Sequence, residues 1–167
     1  DRLCDHLLVV DHGYRRGGAG RAWPRVVGCY RLLRQDAAER AGGFYSAGEF
    51  DLRGLFRAHP GARFLELGRA CVLAPYRTRK TIDLLWHGLW RYVRHHDVDV
   101  MFGCASLDGA EPQALAAQLA YLHHHASAPR DWALAALPAR YVAINKRGRD
   151  GFDAKAAFAA LPPLLKA

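Results

Sequence analysis

The stretch Phe64-Leu65-Glu66-Leu67-Gly68-Arg69-Ala70-Cys71-Val72-Leu73 is the most informative part of this sequence for the fold. Apolar residues run through it almost without a break, which predicts a β-strand buried on both faces. Glu66 and Arg69 interrupt the run, although ionised groups in a buried strand are costly unless they are paired or functional. A β-bulge near Gly68 would bring both side chains to one face. The stretch therefore predicts a bulged strand that carries a candidate site, with a buried ion pair to Arg31 or another cation as the alternative.

A helix is predicted directly after this strand. From Thr78 onward, apolar residues recur at helical spacing: Ile82, Leu85, Trp86, Leu89 and Val93. Three cations, Arg77, Arg79 and Lys80, lie at the start of the helix, where the macrodipole normally favours acids. Cations beside free backbone N–H groups form an anion site, for which phosphate is the natural occupant. The alternative is a solvated basic turn.

The flanking sequence extends this strand and helix into an α/β pattern. Before them we expect a hairpin of strands over 7–10 and 26–33, a turn over 36–39 and a helix over 49–58. After them we expect a buried strand over 99–107, a helix over 112–124 and a strand over 141–145. A helix between two buried strands requires a crossover and hence parallel pairing. The prediction is one α/β domain over residues 1–167, with a mixed central sheet flanked by helices.

Composition limits the partners and the compartment. The chain has 167 residues and a formal net charge of +8, which favours an anionic partner such as nucleic acid, membrane headgroups or an acidic protein. No nucleic-acid-binding motif accompanies the charge, so we do not expect nucleic acid. No membrane span or secretory signal is evident, which favours the cytoplasm. Because the chain starts at Asp1 and ends in an apolar run over 156–167, we expect a fragment of a longer protein.

The cysteines and histidines give no sign of a metal site. The four cysteines lie far apart in apolar runs, which predicts buried free thiols: Cys4, Cys29, Cys71 and Cys104. For Cys104 we expect strand packing and not a nucleophile. The run His123 to His125 points its side chains in three directions at a helix end, so no metal is expected there.

Four segments carry a resemblance to a known family, and they lie at 64–72, 75–82, 85–90 and 98–106. Their sequences, FLELGRACV, PYRTRKTI, LWHGLW and VDVMFGCAS, resemble those of the ornithine-acyl-carrier-protein N-acyltransferases. The likeness extends upstream through residues 4–7 and 42–46. These enzymes belong to the GNAT acyltransferase superfamily and are similar to the acyl-homoserine-lactone synthases. The resemblance implies a GNAT-like fold.

The resemblance also implies a reaction and a donor. The reaction is transfer of a 3-hydroxyacyl group from acyl carrier protein to the α-amine of L-ornithine, with no bound cofactor beyond the donor's acyl-phosphopantetheine. GNAT folds hold the pyrophosphate of coenzyme A with a loop of small residues, and Lys80 and Ile82 occupy the positions of such residues here. This difference favours acyl carrier protein over coenzyme A. Phosphopantetheine contacts are expected from Arg77, Arg79, Lys80 and Thr81.

The same resemblance suggests roles for individual residues. Glu66 and Arg69 match the Glu-x-x-Arg of the acyl-homoserine-lactone synthases, and Arg31 matches their Gly-x-x-Arg-Leu. We expect Glu66 to be the base, and Arg31 and Arg69 to shape the acyl and carboxylate pockets. Asp5 is a candidate partner for the ammonium group of ornithine. Tyr121 is a candidate proton donor to the leaving thiolate, with a half-buried aromatic as the alternative.

Other functions stay open at this point. Within the enzyme class they are acyl-homoserine-lactone synthesis and acetyl-coenzyme A dependent N-acetylation. Outside it, the alternative is a basic module that binds lipid surfaces or polyanions. Contact with the inner membrane is expected from the lipid product and the net charge of +8.

Overall fold

The computed structural model describes residues 3–15, 21–109, 111–143, 147–162 and 165–166. The chain forms two compact units, the first made of residues 1–46 and 61–104 and the second of residues 47–60 and 105–167. The first unit contains a sheet with two helices: β1 (Asp5–Asp11), β2 (Arg25–Arg34), α1 (Gln35–Arg40), β4 (Phe64–Val72), α3 (Arg79–His95) and β5 (Val100–Phe102). The second contains β3 (Phe50–Asp51), α2 (Arg53–Ala58), α4 (Ala116–His125), β6 (Ala135–Ala136) and α5 (Ala154–Ala159).

The sheet of the first unit is mixed, as predicted. Its strand order is β1-β2-β4-β5, in which β2 is antiparallel to both β1 and β4, and β4 is parallel to β5. α3 makes the crossover between the two parallel strands and packs against β1 and β2. One sheet face and α3 share a core of Tyr30, Leu32, Leu65, Leu89 and Val93. Because side chains alternate along a strand, Glu66 lies on the opposite face from Leu65.

A β-bulge interrupts β4 at the predicted place. Arg31 pairs with Gly68 and Cys29 pairs with Cys71, so β4 has one more residue than β2 between these two pairs. Arg69 lies in this interval with a φ of 51°, a left-handed conformation that is uncommon for a residue with a side chain. The bulge disrupts the regular alternation directly after Gly68, which brings Arg69 to the cavity that Glu66 also lines.

β4 and β5 pair over only a short length. The pairs run from Phe64 with Val100 to Glu66 with Phe102, whereas β4 continues to Val72. β5 ends at Phe102, and Gly103 lies directly against the backbone of Leu67. The second half of β4 therefore borders an opening on this side of the sheet, and the bulge lies within that half.

In the second unit, β3 pairs antiparallel with β6, and α4 packs against α5. Asp153 caps α5 by accepting hydrogen bonds from the N–H groups of Lys155 and Ala156. The expectation of a single domain over 1–167 is not tested by this division into two units.

Several predicted elements differ from the structure. The turn over 36–39 is wrong, because α1 forms there and buries Ala37 and Ala38. The helix over 49–58 begins only at Arg53, and a two-residue strand precedes it. The strand over 99–107 is reduced to Val100–Phe102, and the helix over 112–124 lies at Ala116–His125. Residues 141–143 form no strand, and Asn145 lies outside the described residues.

Two burial predictions are also corrected. β4 is buried only from Phe64 to Glu66, because its second half has no paired neighbour on the β5 side and becomes exposed. Trp86 of the predicted apolar stripe is exposed, and the buried face of α3 consists of Thr81, Leu85, Leu89 and Val93. Among the described helices, none is long and apolar enough to cross a bilayer.

Candidate active site

A cavity of about 170 Å³ lies on the bulged strand, within the first unit. Its lining comes from β2, from the segment after α1, from β4 and from the segment after β5: Arg31, Tyr45, Ser46, Glu66, Leu67, Gly68, Arg69 and Cys104. Three of the four residues assigned to catalysis or substrate binding from sequence are among them. The bulge is what brings Glu66 and Arg69 to one cavity despite their spacing of three.

The Glu66 carboxylate is buried and held by donors from the segment after α1. Tyr45 N–H donates to Oε2 at 2.8 Å, and Ser46 N–H donates to Oε1 at 2.6 Å. The Ser46 hydroxyl donates to the same Oε1 at 2.5 Å. Glu66 is 3% exposed, so water does not replace these partners. Both carboxylate oxygens therefore accept hydrogen bonds from this segment.

Two arginines place positive charge at the same cavity. The Arg31 guanidinium stacks over the Tyr45 ring at 5.5 Å and fills the space beside Gly68, where a Cβ atom would lie 3.2 Å from Nη2. Arg69 lines the cavity from the bulge. A carboxylate or carbonyl oxygen is the natural ligand of such groups. The cavity thus combines an acceptor for a proton with cations that suit an anionic substrate group.

Ser46 and Cys104 were missed as site residues by the sequence analysis. Ser46 is 2% exposed and lies between Glu66 and Cys104, whose thiol donates to Ser46 Oγ at 3.3 Å. The prediction of a buried thiol is wrong for Cys104, which is exposed and follows the end of β5. The prediction is also wrong for Cys71, which is exposed, and Cys4 and Cys29 are only half-buried. Ser46 could have been found from sequence because the family likeness extends upstream through residues 42–46.

The basic turn after β4 presents three of the four predicted phosphopantetheine contacts to solvent. Arg77, Arg79 and Lys80 are exposed, and Arg77 Nε donates to the carbonyl of Val72 at 3.1 Å. Thr81 instead lies buried on the inner face of α3. Its N–H donates to the Thr78 hydroxyl, which caps the helix. The open surface of this turn suits a phosphate or an acidic protein. Thr81 does not reach this surface, and its contact with Thr78 stabilises the start of α3.

Asp5 lies in a separate polar cluster and does not line the Glu66 cavity. The Tyr92 hydroxyl donates to Asp5 Oδ2 at 2.5 Å, and Arg34 Nη1 lies 3.7 Å from the same oxygen. Arg34 also contacts His96, with 2.9 Å between Nη1 and Nδ1. This cluster borders a second cavity of about 570 Å³ lined by Arg34, Asp36 and His96 among others. The role of Asp5 toward ornithine stays a prediction.

The pKa of His96 makes the stability of this cluster dependent on pH. Burial lowers the pKa of His96, and the nearby charges of Arg34 and His95 lower it further, against a smaller opposing effect of Asp5 and Asp36. Between this lowered value and the unfolded value of about 6.5, the unfolded chain binds more protons. Stability is therefore full above that window and falls as the pH drops through it.

We expect thermal melting at pH 7.5 and pH 5.5 to show this effect. The variant His96→Asn should lose less melting temperature on acidification than the wild type, because it removes a group that resists protonation in the folded state. His87→Asn is the control, since His87 is exposed on α3. An equal loss in the wild type and His96→Asn would contradict the assignment.

Tyr121 and the histidine run belong to the second unit. Tyr121 is half-buried on α4, stacks on His125 with 4.8 Å between ring centroids, and contacts Phe158 at 5.5 Å. The burial of Tyr121 does not decide between the two interpretations, and its role toward the leaving thiolate stays a prediction. Within the described ranges, no three or more His, Cys, Asp or Glu side chains converge as metal ligands.

The fold and the cavity agree with a match to a protein family. In β4, a bulge beside a buried carboxylate lies where the strand parts from its parallel neighbour β5. The family model for the acetyltransferase (GNAT) domain matches residues 1–87, just over half of the chain. The chain belongs to the GNAT acetyltransferase family, and the predicted GNAT fold is confirmed.

The most informative relatives share one name, L-ornithine N(alpha)-acyltransferase. Those of Rhizobium meliloti (strain 1021) and Agrobacterium fabrum (strain C58) are 49% and 46% identical to this chain over 166 residues, which is 99% of the chain and 55% of each relative. That of Rhodobacter capsulatus is 39% identical over the whole chain and 61% of its own length. The chain thus spans little more than half of the relatives it matches. No solved structure matches it significantly.

Proposed function

We propose that this chain is the acyl-transfer region of an N-acyltransferase that moves a 3-hydroxyacyl group from acyl carrier protein to the α-amine of L-ornithine. The observation that carries the proposal is 39–49% identity over nearly the whole chain to relatives named L-ornithine N(alpha)-acyltransferase. The cavity on β4 supports it, because a carboxylate and two arginines suit the amine and carboxylate groups of an amino acid.

The chemistry follows from the groups at the cavity. The amine nitrogen attacks the carbonyl carbon of the thioester, and the Glu66 carboxylate accepts a proton from it, directly or through one water molecule. Backbone N–H groups beside the bulge stabilise the negative charge that develops on the carbonyl oxygen. The C–N bond forms, the C–S bond breaks, and the pantetheine thiolate leaves. Arg31 and Arg69 hold the carboxylate of the amino acid or the acyl group. No acyl-enzyme intermediate is required.

The basic turn at Arg77, Arg79 and Lys80 supports acyl carrier protein as the donor. Arg77 precedes α3, and Arg79 and Lys80 are its first two residues. At this exposed end of the helix, a single phosphate and an acidic protein surface both gain favourable charge contacts. The large side chains at Lys80 and Ile82 disfavour the close backbone approach that a pyrophosphate requires.

The test is release of free thiol from 3-hydroxyacyl carrier protein by a full-length protein, with and without L-ornithine. We expect release that depends on ornithine and is slower with the matching acyl-coenzyme A. Release with acetyl-coenzyme A or another amine, and none with ornithine, would keep an acyltransferase and overturn the substrate. Absence of release from all donors would favour a non-enzymatic basic module.

We also infer that the protein works in the cytoplasm and contacts the inner membrane peripherally. An N-acylated amino acid is an amphiphile that partitions into a bilayer, and the net charge of +8 favours anionic headgroups. In sedimentation with vesicles, the protein should bind phosphatidylglycerol-containing membranes more than pure phosphatidylcholine, and less at high salt. Equal binding to the two membranes would remove this inference.

A further inference from the structure

Three side chains form a continuous hydrogen-bonded chain along the cavity. The Cys104 thiol donates to Ser46 Oγ at 3.3 Å, and the Ser46 hydroxyl donates to Glu66 Oε1 at 2.5 Å. The inner end, Glu66, is 3% exposed, and the middle, Ser46, is 2% exposed. Cys104, at the outer end, is exposed. All three line the same cavity, so Glu66 and Cys104, the two ends of this hydrogen-bonded series, both face the space that a substrate would fill.

Cys104 lies at the edge of this space where the two parallel strands part. It lies two residues beyond the end of β5, where that strand has stopped pairing with β4. Glu66 occupies the last β4–β5 pair, opposite Phe102. The hydrogen bonds from Glu66 through Ser46 to Cys104 therefore run from the buried floor of the cavity to the edge of the opening between the strands.

We propose that Cys104 is the general acid that protonates the leaving thiolate, and that Ser46 relays the proton held by Glu66 back to it. The inference rests on the proposed function, since it assigns the second proton transfer of the same reaction. It differs from the Tyr121 assignment, which places that proton donor on α4.

The proton transfers balance over one turnover. Glu66 accepts a proton from the attacking amine as the C–N bond forms. Cys104 gives its S–H proton to the pantetheine thiolate as the C–S bond breaks, and the Ser46 hydroxyl gives its proton to the Cys104 sulfur. Glu66 then returns its proton to Ser46 Oγ. The products are the amide and the free thiol, and all three side chains regain their starting state.

The chemistry of a thiol suits this step. The cysteine thiol and the alkyl thiol that leaves are acids of the same chemical kind, so proton transfer between the two sulfurs is nearly balanced. A serine hydroxyl at the same position is far less acidic. Replacement of Cys104 by serine therefore keeps a hydrogen-bond donor of similar size but removes an effective acid.

The first test compares variants of the full-length enzyme by ornithine-dependent thiol release. Cys104→Ala and Cys104→Ser should both lower kcat at least tenfold, with little change in the KM for ornithine. Ser46→Ala should lower kcat as well. Cys71→Ser is the matched control, because Cys71 is an exposed cysteine of the same sheet outside the cavity, and it should retain wild-type activity. Wild-type turnover in Cys104→Ser would overturn the acid role.

A second test needs no turnover and so separates this inference from the proposed function. The rate of Cys104 alkylation by iodoacetamide is followed from pH 6 to pH 10 by mass spectrometry, with Cys71 as the reference in the same digest. In Glu66→Gln, loss of a negative charge near the thiol should lower the midpoint pH of Cys104 alkylation by about half a unit or more. Glu39→Gln, an exposed change on α1, should leave it unchanged.

The two tests together distinguish failure of the proton relay from failure of the proposed reaction. A shifted midpoint with an inactive wild type would retain the coupled chain and reject the proposed reaction. An unshifted midpoint in Glu66→Gln, with the variant folded by circular dichroism, would overturn the relay even if the wild type is active. Ser46→Ala adds a check, because loss of the middle group should change the midpoint for Cys104 and leave that for Cys71 unchanged.

Discussion

Glu66→Gln is expected to abolish most of the ornithine-dependent thiol release, with a loss of about 10²–10⁴-fold in kcat. Glutamine keeps the shape of the side chain but cannot accept the proton of the attacking amine. It also places an NH₂ group against one of the donors that now face the carboxylate, Tyr45 N–H or Ser46 N–H. The expected loss is therefore mainly in kcat, which steady-state assays at saturating ornithine measure directly.

Stability must be measured beside this activity, because the lost hydrogen bond is buried. We expect Glu66→Gln to lower the free energy of unfolding by about 1–3 kcal/mol, which leaves a folded protein for the assay. Glu39→Gln is the control for loss of a carboxylate, since Glu39 is exposed on α1. A folded Glu66→Gln variant with more than about a tenth of wild-type kcat would reject Glu66 as the base.

Gly103→Ala is expected to be among the most destabilising single substitutions in the first unit. A Cβ atom at Gly103 would lie 2.3 Å from the carbonyl oxygen of Leu67, a backbone atom that cannot move without shifting β4. Overpacking of this kind costs about 1–3 kcal/mol and sometimes more. For a chain of this size, the melting temperature should fall by about 3 °C or more. Because Gly103 precedes Cys104, the same shift should displace the thiol from Ser46.

Gly28→Ala is the matched control on the neighbouring strand β2. Its Cβ atom would meet Val72 Cγ2 and Val9 Cβ at 3.5 Å, which is ordinary van der Waals contact. Its melting temperature should stay within about 2 °C of the wild type, which corresponds to a change of about 0.5 kcal/mol. Equal melting temperatures for the two variants would show that β5 is not held against β4 at Gly103.

The sequence predicted the central part of the fold because that part depends on local pattern. The apolar run over 64–73, the helical stripe after Thr78 and the order of strands specify a mixed sheet with one crossover, and the structure confirms them. The bulge was predictable from the Glu66–Arg69 spacing around Gly68. The short elements could not be predicted from local pattern. α1 has only six residues, and its stability comes from burial of Ala37 and Ala38 by other segments.

The site residues also divide into those that a local sequence pattern indicates and those that depend on contacts between distant segments. The buried-charge argument indicated Glu66 and Arg69 as candidate site residues, because charges within strands of an apolar sheet need a reason, and the family resemblance added Arg31. Packing between distant segments brings Ser46 and Cys104 to the same site, since these contacts connect residues 20 and 58 positions apart. It also placed Asp5 with Tyr92 and Arg34, and turned Thr81 inward. Periodicity fixes which face a residue occupies, whereas hydrogen-bond partners depend on which distant segment packs against that face.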